Sequence, residues 1–344
     1  DSVYEGNETG IVAISGVSGA DAAEDGTQSV TITITENDSS PTITLTSSAS
    51  SITENAGSSL TLTATSSIVA DEDITVTIGT GGGGTEGTDY STISDITISA
   101  GATTGTANFT PTDDNVYEGN ESPVVSITGV SGADAAEDGT QSVTITITEN
   151  ESSPTVTLAT SATSIAENAG TSLTLTATIS QEADEDVTVN LGAAGTSTNG
   201  TDYGSLSSIT VSAGATTGTA TFDPTDDSVY EGNETAVISI SSVSGADASE
   251  SGSQSVTITI VENDSTPVVT LSTSATSIAE NAGSSLTLTA TLSNATSGDV
   301  TVTLSTSGTG TEGTDYSTIS DITISAGATT GTASFTPTDD SVYE

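Results

Sequence analysis

Acidic side chains recur along this chain at a fixed interval of 113 residues. Glu54, Glu167 and Glu280 each open a Glu-Asn-Ala-Gly segment, and Asp89, Asp202 and Asp315 each sit in Gly-Thr-Asp-Tyr. A denser set follows: Asp113, Asp114, Glu118 and Glu121, repeated as Asp226, Asp227, Glu231 and Glu234, and begun again as Asp339, Asp340 and Glu344. Glu5 and Glu8 carry the end of the same set at the start of the chain. A last group, Glu149 with Glu151, returns as Glu262 with Asp264 and as Glu36 with Asp38. Tyr4, Tyr117, Tyr230 and Tyr343 keep the same interval without an insertion or deletion.

The chain has no Lys, Arg or His, and its 47 acidic residues give a formal net charge of −47. No carboxylate can therefore be neutralised from within. Carboxylate oxygens suit hard divalent cations, and Ca²⁺ takes about 6–8 of them. Zinc and copper favour His or Cys ligands, and the chain has neither. Calcium is the expected ion for the recurring acids, the alternative being solvated loop residues. Asp71, Glu72 and Asp73, and also Asp134, Glu137 and Asp138, sit in turn-like stretches that vary between copies and are expected to be solvated.

The same composition excludes other functions. Without a cation the chain cannot contact a phosphate backbone directly, so no nucleic-acid partner is expected. Paired acids could serve as a glycosidase acid and nucleophile, but repetition in every unit argues against an active site. Ser and Thr lack a His or Lys base. The Gly81–Gly84 run lacks a following Lys and is expected to be a hairpin tip or flexible loop rather than a phosphate cradle. The chain has no Cys, and no apolar run long enough to enter a membrane.

The elements that must position the acids read as strands. Apolar residues alternate with Thr, as in Leu60-Thr-Leu-Thr-Ala64 and Ser142-Val-Thr-Ile-Thr-Ile-Thr148, the period of a half-buried strand. Strands are expected at 42–45, 59–65, 74–78, 96–98, 104–109, 123–127 and 143–148, separated by Gly, Ser, Asn and Asp clusters. A strict period of this length means a string of similar domains. Such regular runs point to folded, cation-dependent domains, although acidic chains with only 3% aromatics are often disordered.

Boundaries are expected at the short Pro-terminated links 36–41, 149–154 and 262–267. This gives complete units at 41–151 and 154–264, the last strands of a preceding unit at 1–38, and the first strands of a further unit at 267–344. The expected explanation of the two partial units is a window on a longer array. The alternative is that residues 1–38 of one copy complete residues 267–344 of another by strand donation.

The Glu-Asn-x-Gly turn, the Asp-Tyr dipeptide, the Asp-Asp-x-x-Tyr-Glu-x-x-Glu segment and a closing Thr-Ile-x-(Asp/Glu)-Asn-(Asp/Glu) pattern occur in that order in both complete units, and the partial units carry the parts that fall within them. Together they resemble the Calx-β domain family over essentially the whole chain. The resemblance implies an all-β protein of tandem seven-stranded, immunoglobulin-like (Calx-β) β-sandwiches in a linear array. It also implies that the recurring acids meet at one end of each domain and bind Ca²⁺, with Glu54, Asp89, Asp113, Asp114, Glu118, Glu121, Glu149 and Glu151 at ligand positions. The chain departs from the pattern at Asn37, Asn150 and Asn263, which stand where an Asp would add charge.

The functional expectation is a structural extracellular repeat protein, bacterial in source, forming a Ca²⁺-stiffened fibre, surface stalk or adhesin extender. Its partners would be calcium ions and further repeats or neighbouring copies of the same chain. A calcium-dependent adhesin that contacts glycans or a partner protein is the second reading, and a calcium-sensing regulatory domain the third. Tyr117 and its equivalents are expected to be core anchors, and Tyr90, Tyr203 and Tyr316 to pack beside the acids. Sequons at Asn7, Asn120 and Asn233 coincide with the acidic segments, which disfavours glycans there.

Overall fold

Alternating Thr and aliphatic residues form strands here because β-branched side chains fit a pleated surface, and alternation turns one face inward. A computed structural model describes residues 2–341, and all its regular elements are β-strands. Tyr343 and Glu344 lie outside the described residues. No helix among the described residues is long and apolar enough to cross a membrane. The chain divides into two compact units, Asp1–Pro154 with Gln181–Glu185, and Thr155–Ser180 with Asp186–Glu344.

The first unit contains a complete sandwich. One sheet runs in the order Thr104–Phe109, Leu60–Ser66, Thr42–Ser47, Ala136–Glu137. The facing sheet runs Ser142–Thr144, Pro123–Ser131, Ile74–Gly82, Ile96–Ile98. Along Leu60–Ser66 every second residue is buried, so Leu60, Leu62 and Ala64 enter the core while the intervening Thr residues stay outside it. Ile43, Val76, Ile96, Phe109, Val125 and Ile145 come from both sheets and complete that core. The last strand, expected as 143–148, splits around Ile145. Ser142–Thr144 pairs antiparallel with Val124–Ser126, whereas Thr146–Thr148 runs parallel to Ser51–Thr53. The switch matters because Ser51–Thr53 leads directly into Glu54, whose N–H donates to Thr148 O at 3.1 Å.

The second unit repeats this sandwich from Thr155 to Val261, with Ser164–Ala166 parallel to Thr259–Val261. It also contains six further strands: Val269–Thr273, Leu286–Leu292, Ala295–Thr296, Val300–Val302, Ile322–Ile324 and Thr330–Phe335. Their core is small, built on Ala290, Leu292, Ile322, Ile324 and Ala333. The first unit carries in addition a hairpin in which Glu8–Ala13 pairs antiparallel with Ser29–Ile34.

The two sheets of the complete sandwich approach closely at Gly105. A Cβ there would lie 2.3 Å from Thr97 O and 2.8 Å from the Ile96 side chain. Gly218 meets Thr210 O in the same way, at 2.2 Å. Gly105→Ala should therefore push Thr104–Phe109 off Ile96–Ile98 and cost about 1–3 kcal/mol, as overpacking does. Thermal unfolding should show a clear drop in Tm relative to the exposed control Thr106→Ala. Equal Tm values for the two variants would contradict this packing.

Candidate metal centre

Three loops and one strand end converge on the carboxylates of the first sandwich. The parallel pair formed by Ser51–Thr53 and Thr146–Thr148 delivers Glu54 and Glu149 side by side. Carboxylate oxygens of Glu54, Glu149 and Glu151 lie within 4.8 Å of one another, and so do those of Asp89, Glu118 and Glu121. Asp202, Glu231 and Glu234 form the equivalent of the second group. Glu54 is 4% exposed and Asp89 7% exposed, unusual values for carboxylates.

Local packing fixes each member. Asp89 follows the Thr85 turn, where the Thr85 N–H donates to its carboxylate. The adjacent Tyr90 is buried, and its ring stacks on Phe109 at 4.8 Å. Tyr203 on Phe222 and Tyr316 on Phe335 repeat the stack at 4.7 Å each. Asp114 donates its N–H to Glu54 Oε1 at 3.3 Å, and its own carboxylate accepts from Val116 N–H at 2.7 Å. The same bonds recur at Asp227 with Glu167 and Val229.

Glu149 has a different role from its neighbours. It accepts N–H bonds from Glu118 at 2.6 Å, Gly119 at 2.8 Å and Glu151 at 2.9 Å. Burial opposes its ionisation, but these donors outweigh burial and hold its pKa below the usual range. Glu262 and Glu36 are held low by the same pattern of donors, Glu36 at about 2.

The remaining acids are pushed up. Burial, then the charges of Asp89, Glu121, Asp114 and Glu54, raise Glu118 to about 8. Burial followed by Asp89 raises Glu121 to about 7. Glu54 rises to about 6 and Glu151 to about 7, again led by burial. Glu167 and Glu234 reach about 7 in the second sandwich. Glu151 Oε2 and its counterpart Asp264 Oδ2 are buried without a hydrogen-bond partner. Such a site is short of positive charge and of donors, which is the deficit a bound hard cation removes.

Other sequence-expected residues stand less centrally. Asp113 and Asp226 are exposed. Asp113 acts on Glu54 and Glu151 through its charge, and Asp226 Oδ1 accepts from Asn263 Nδ2 at 3.2 Å. Thus one of the departures from the family pattern supplies a donor where an Asp would have supplied charge. In the partial units, Glu280 Oε1 accepts from Asp340 N–H at 3.2 Å and Asp315 from Thr311 N–H at 2.6 Å, while Asp339 is exposed. Glu36 collects the N–H groups of Glu5, Gly6 and Asp38, and Glu8 is exposed. Glu344 is outside the described residues.

Several features escape the sequence reading. Asn120 Oδ1 accepts from Glu149 N–H at 3.0 Å, as Asn233 does from Glu262 at 3.0 Å and Asn7 from Glu36 at 2.9 Å. The recurrence of these Asn residues was the available signal, and their bond leaves them as clamps on the site. Asp184 also joins the site's electrostatic field: burial raises its pKa, followed by Glu185, with Asp89 and Glu149 contributing. Tyr117 brings it there, since Tyr117 N–H donates to Glu182 O at 2.9 Å and its carbonyl accepts from Asp184 N–H at 3.2 Å. Tyr117 is thus an anchor for the segment Gln181–Glu185 of the same unit. Asp71 donates its backbone N–H to Tyr4 O at 3.2 Å in the same manner, while its side chain is exposed as expected. Of the glycines expected at a hairpin tip or loop, Gly81 and Gly82 instead continue a strand opposite Val124 and Pro123, whereas Gly83 and Gly84 lie in the loop that follows. A Cβ on Gly84 would lie 3.2 Å from Glu121 Oε2, so the small residue lets that loop pass beside the carboxylate.

The sign of the pKa shifts gives a pH test on metal-free protein. Glu54, Glu118, Glu121 and Glu151 bind their protons more tightly folded than unfolded. Their stabilisation is complete below the ordinary value of 4.5 and is lost as pH rises through about 6 to 8. Glu149 and Glu262 act oppositely, contributing above the ordinary range and losing it as pH falls. In chelator, Tm should fall steadily between about pH 5 and 8.5. A Tm that rises over that window would contradict the burial of these acids.

Comparison with known proteins places this arrangement. No curated protein matches the chain. Among solved structures, it is similar to the apo-form Calx CBD1 domain, with 18% identity and a TM-score of 0.28, covering 32% of this chain and 99% of that one. It is similar to invasin, a bacterial integrin-binding protein, with 17% identity and a TM-score of 0.31 over 87% of this chain and 55% of that one. Similarity also extends to the Yersinia pseudotuberculosis adhesin InvE, with 11% identity and a TM-score of 0.33 over 64% and 60% of the two chains. The model of the Calx-beta domain matches residues 36–151, 149–264 and 262–344. These segments tile most of the sequence, and the chain belongs to the Calx-beta domain family.

Proposed function

We propose that this chain is a structural extracellular repeat protein whose sandwiches bind Ca²⁺ and are stiffened by it, as part of a fibre, surface stalk or adhesin extender. The observation that carries the reading is the three clusters of buried and half-buried carboxylates, Glu54 with Glu149 and Glu151, Asp89 with Glu118 and Glu121, and Asp202 with Glu231 and Glu234, in a chain with no Lys, Arg or His. In the proposed units 41–151 and 154–264, Glu54, Asp89, Asp113, Asp114, Glu118, Glu121 and Glu151 would hold the metal, as would Glu167, Asp202, Asp226, Asp227, Glu231, Glu234 and Asp264. Glu149 and Glu262 would serve mainly as braces, because the backbone already engages them. Glu280, Asp315, Asp339 and Asp340, and at the other end Glu5, Glu8, Glu36 and Asp38, are the corresponding acids of partial units.

Bound calcium would supply positive charge that the polypeptide lacks. The chain's part is to orient carboxylates through N–H donors and to hold the segments that carry them by the Tyr–Phe stacks and Asn clamps. Near-identical repeats suit length and stiffness better than diversified recognition, and they suit a calcium-containing medium outside the cell. Binding to the folded form alone stabilises that form by mass action.

Calorimetric titration should show calcium binding with proton release near pH 7, because Glu118 and Glu121 must ionise. Asp89→Asn with Glu121→Gln should weaken binding at the affected site about tenfold or more, since affinity follows ligand charge. Binding unchanged by that pair would remove these residues from the ligand set. Small-angle scattering should in turn give a larger persistence of the chain in calcium than in chelator. Identical profiles in the two buffers would end the stiffening role.

A further inference from the structure

The loop that presents Asp202 lacks a brace that its counterparts have. In the first sandwich, the Glu86 carboxylate accepts from Thr80 Oγ1 at 2.8 Å and from Ile93 N–H at 2.8 Å, which ties down the loop leading to Asp89. Before Asp315, Glu312 accepts in the same way from Thr306 Oγ1 at 3.0 Å and from Ile319 N–H at 2.8 Å. At the corresponding positions of the second sandwich stand Ala193, Asn199 and Leu206. Among the described residues no such brace holds Asn199, and its side chain is exposed. Ala193 also takes a partner from the core. Thr80 bonds the Tyr90 hydroxyl, whereas the hydroxyl of Tyr203, a residue 1% exposed, is buried without a partner.

Asn199 is followed by Gly200, and no other Asn of the chain precedes a Gly. With no Cβ on the following residue, the backbone nitrogen can approach the Asn side chain without a clash. We propose that Asn199-Gly200 is a self-modification site, a deamidation whose rate is gated by the metal group Asp202, Glu231 and Glu234. In the reaction Gly200 N attacks Asn199 Cγ and gives up its proton. The Cγ–Nδ2 bond breaks, ammonia leaves with that proton, and a cyclic imide remains. Water then opens the imide at either carbonyl, leaving aspartate or isoaspartate. Amide and water become acid and ammonia, so no oxidant or reductant takes part.

The loop's own hydrogen bonds form the gate. Gly200 N–H donates to Tyr203 O at 2.8 Å, Asp202 N–H to Thr198 O at 3.0 Å, and Thr198 N–H to the Asp202 carboxylate at 2.5 Å. While these bonds last, the attacking nitrogen is engaged and the imide cannot close. Asp202 belongs both to this ring of bonds and to the metal group. The gate therefore rests on the calcium reading proposed above: a bound ion holds Asp202, and with it the turn, whereas local opening without the ion frees Gly200 N. Aspartate formed at 199 restores an acid where Glu86 and Glu312 stand in the other copies. Isoaspartate lengthens the backbone by a methylene just before Asp202 and displaces that ligand. Either product is an irreversible record that the loop has been without its ion.

The test is peptide mass mapping of the intact chain after incubation at mildly alkaline pH, in calcium and in chelator, with calcium binding measured on the same samples. Chymotrypsin is the protease to use, since the chain has no Lys or Arg for trypsin. Asn199 should show the mass change of an amide turned into an acid, while the exposed Asn115 and Asn150, which precede Val and Glu, should not. With calcium at about ten times its dissociation constant, amide loss should be about tenfold slower than in chelator, by mass action on the closed loop. Ala193→Thr, which returns a partner to the Tyr203 hydroxyl, should slow the loss in chelator. Equal rates in the two buffers with calcium bound overturn this inference alone. Equal rates without bound calcium overturn the calcium reading together with it. An Asn199 that keeps its amide in chelator, or that carries a glycan through Asn199-Gly200-Thr201, overturns the site. Loss that Ala193→Thr leaves unchanged overturns the account of the gate.

Discussion

The constraint on which the rest of this structure depends is the burial of carboxylates in a chain that has no cation of its own. Glu54 and Asp89 are almost inaccessible to water, and Glu118 and Glu121 stand beside them. Ionised groups in such a place repel one another strongly, because little solvent separates them. Protonation relieves the repulsion, and so does a metal ion, but no side chain of the protein can. The chain's own response is limited to uncharged donors, and it concentrates backbone N–H groups on Glu149, Glu262 and Glu36. Those three remain ionised. Their neighbours take up the imbalance as raised pKa values.

The fold is arranged around delivering these groups to one place. The last strand abandons its antiparallel partner at Ile145 and runs parallel to Ser51–Thr53, which brings Glu149 to Glu54. The stack of Tyr90 on Phe109 seats the turn that presents Asp89. Gly84, in the loop after Ile74–Gly82, leaves room for the Glu121 carboxylate. Core packing and site geometry are in this way coupled. A change to the aromatic stack or the glycine loop reaches the carboxylates without touching one.

Repetition extends the same logic along the chain. Among the described residues, the acidic segments also lend their Tyr backbone to a parallel pairing, as Tyr4 does with Ala70, Tyr117 with Ala183 and Tyr230 with Thr296. A loop that carries ligands is thereby also a loop that docks. The same recurrence explains the exposed Val and Ile of the first hairpin. They are core residues by pattern, since their counterparts one period further on, Val125, Ile127, Ile145 and Ile147, are buried.

By itself the sequence determined what can be read from period and composition. Alternating Thr and aliphatic residues specify strands because the pleat has a period of two. The exact repeat specifies similar sandwiches, and the absence of Lys, Arg and His leaves the recurring acids without a cation of the chain's own. The motifs also named the acids that come together. Tertiary structure decided how those acids differ. Glu149 and Glu151 are two residues apart and chemically alike, yet one collects backbone donors while the other keeps an unpartnered buried oxygen. Asn120 and Asp184 enter the site through contacts made 29 and 67 residues away in the chain, with Glu149 and Tyr117. No local pattern encodes such contacts, because hydrogen bonds and burial depend on which segments the folded sheets bring together.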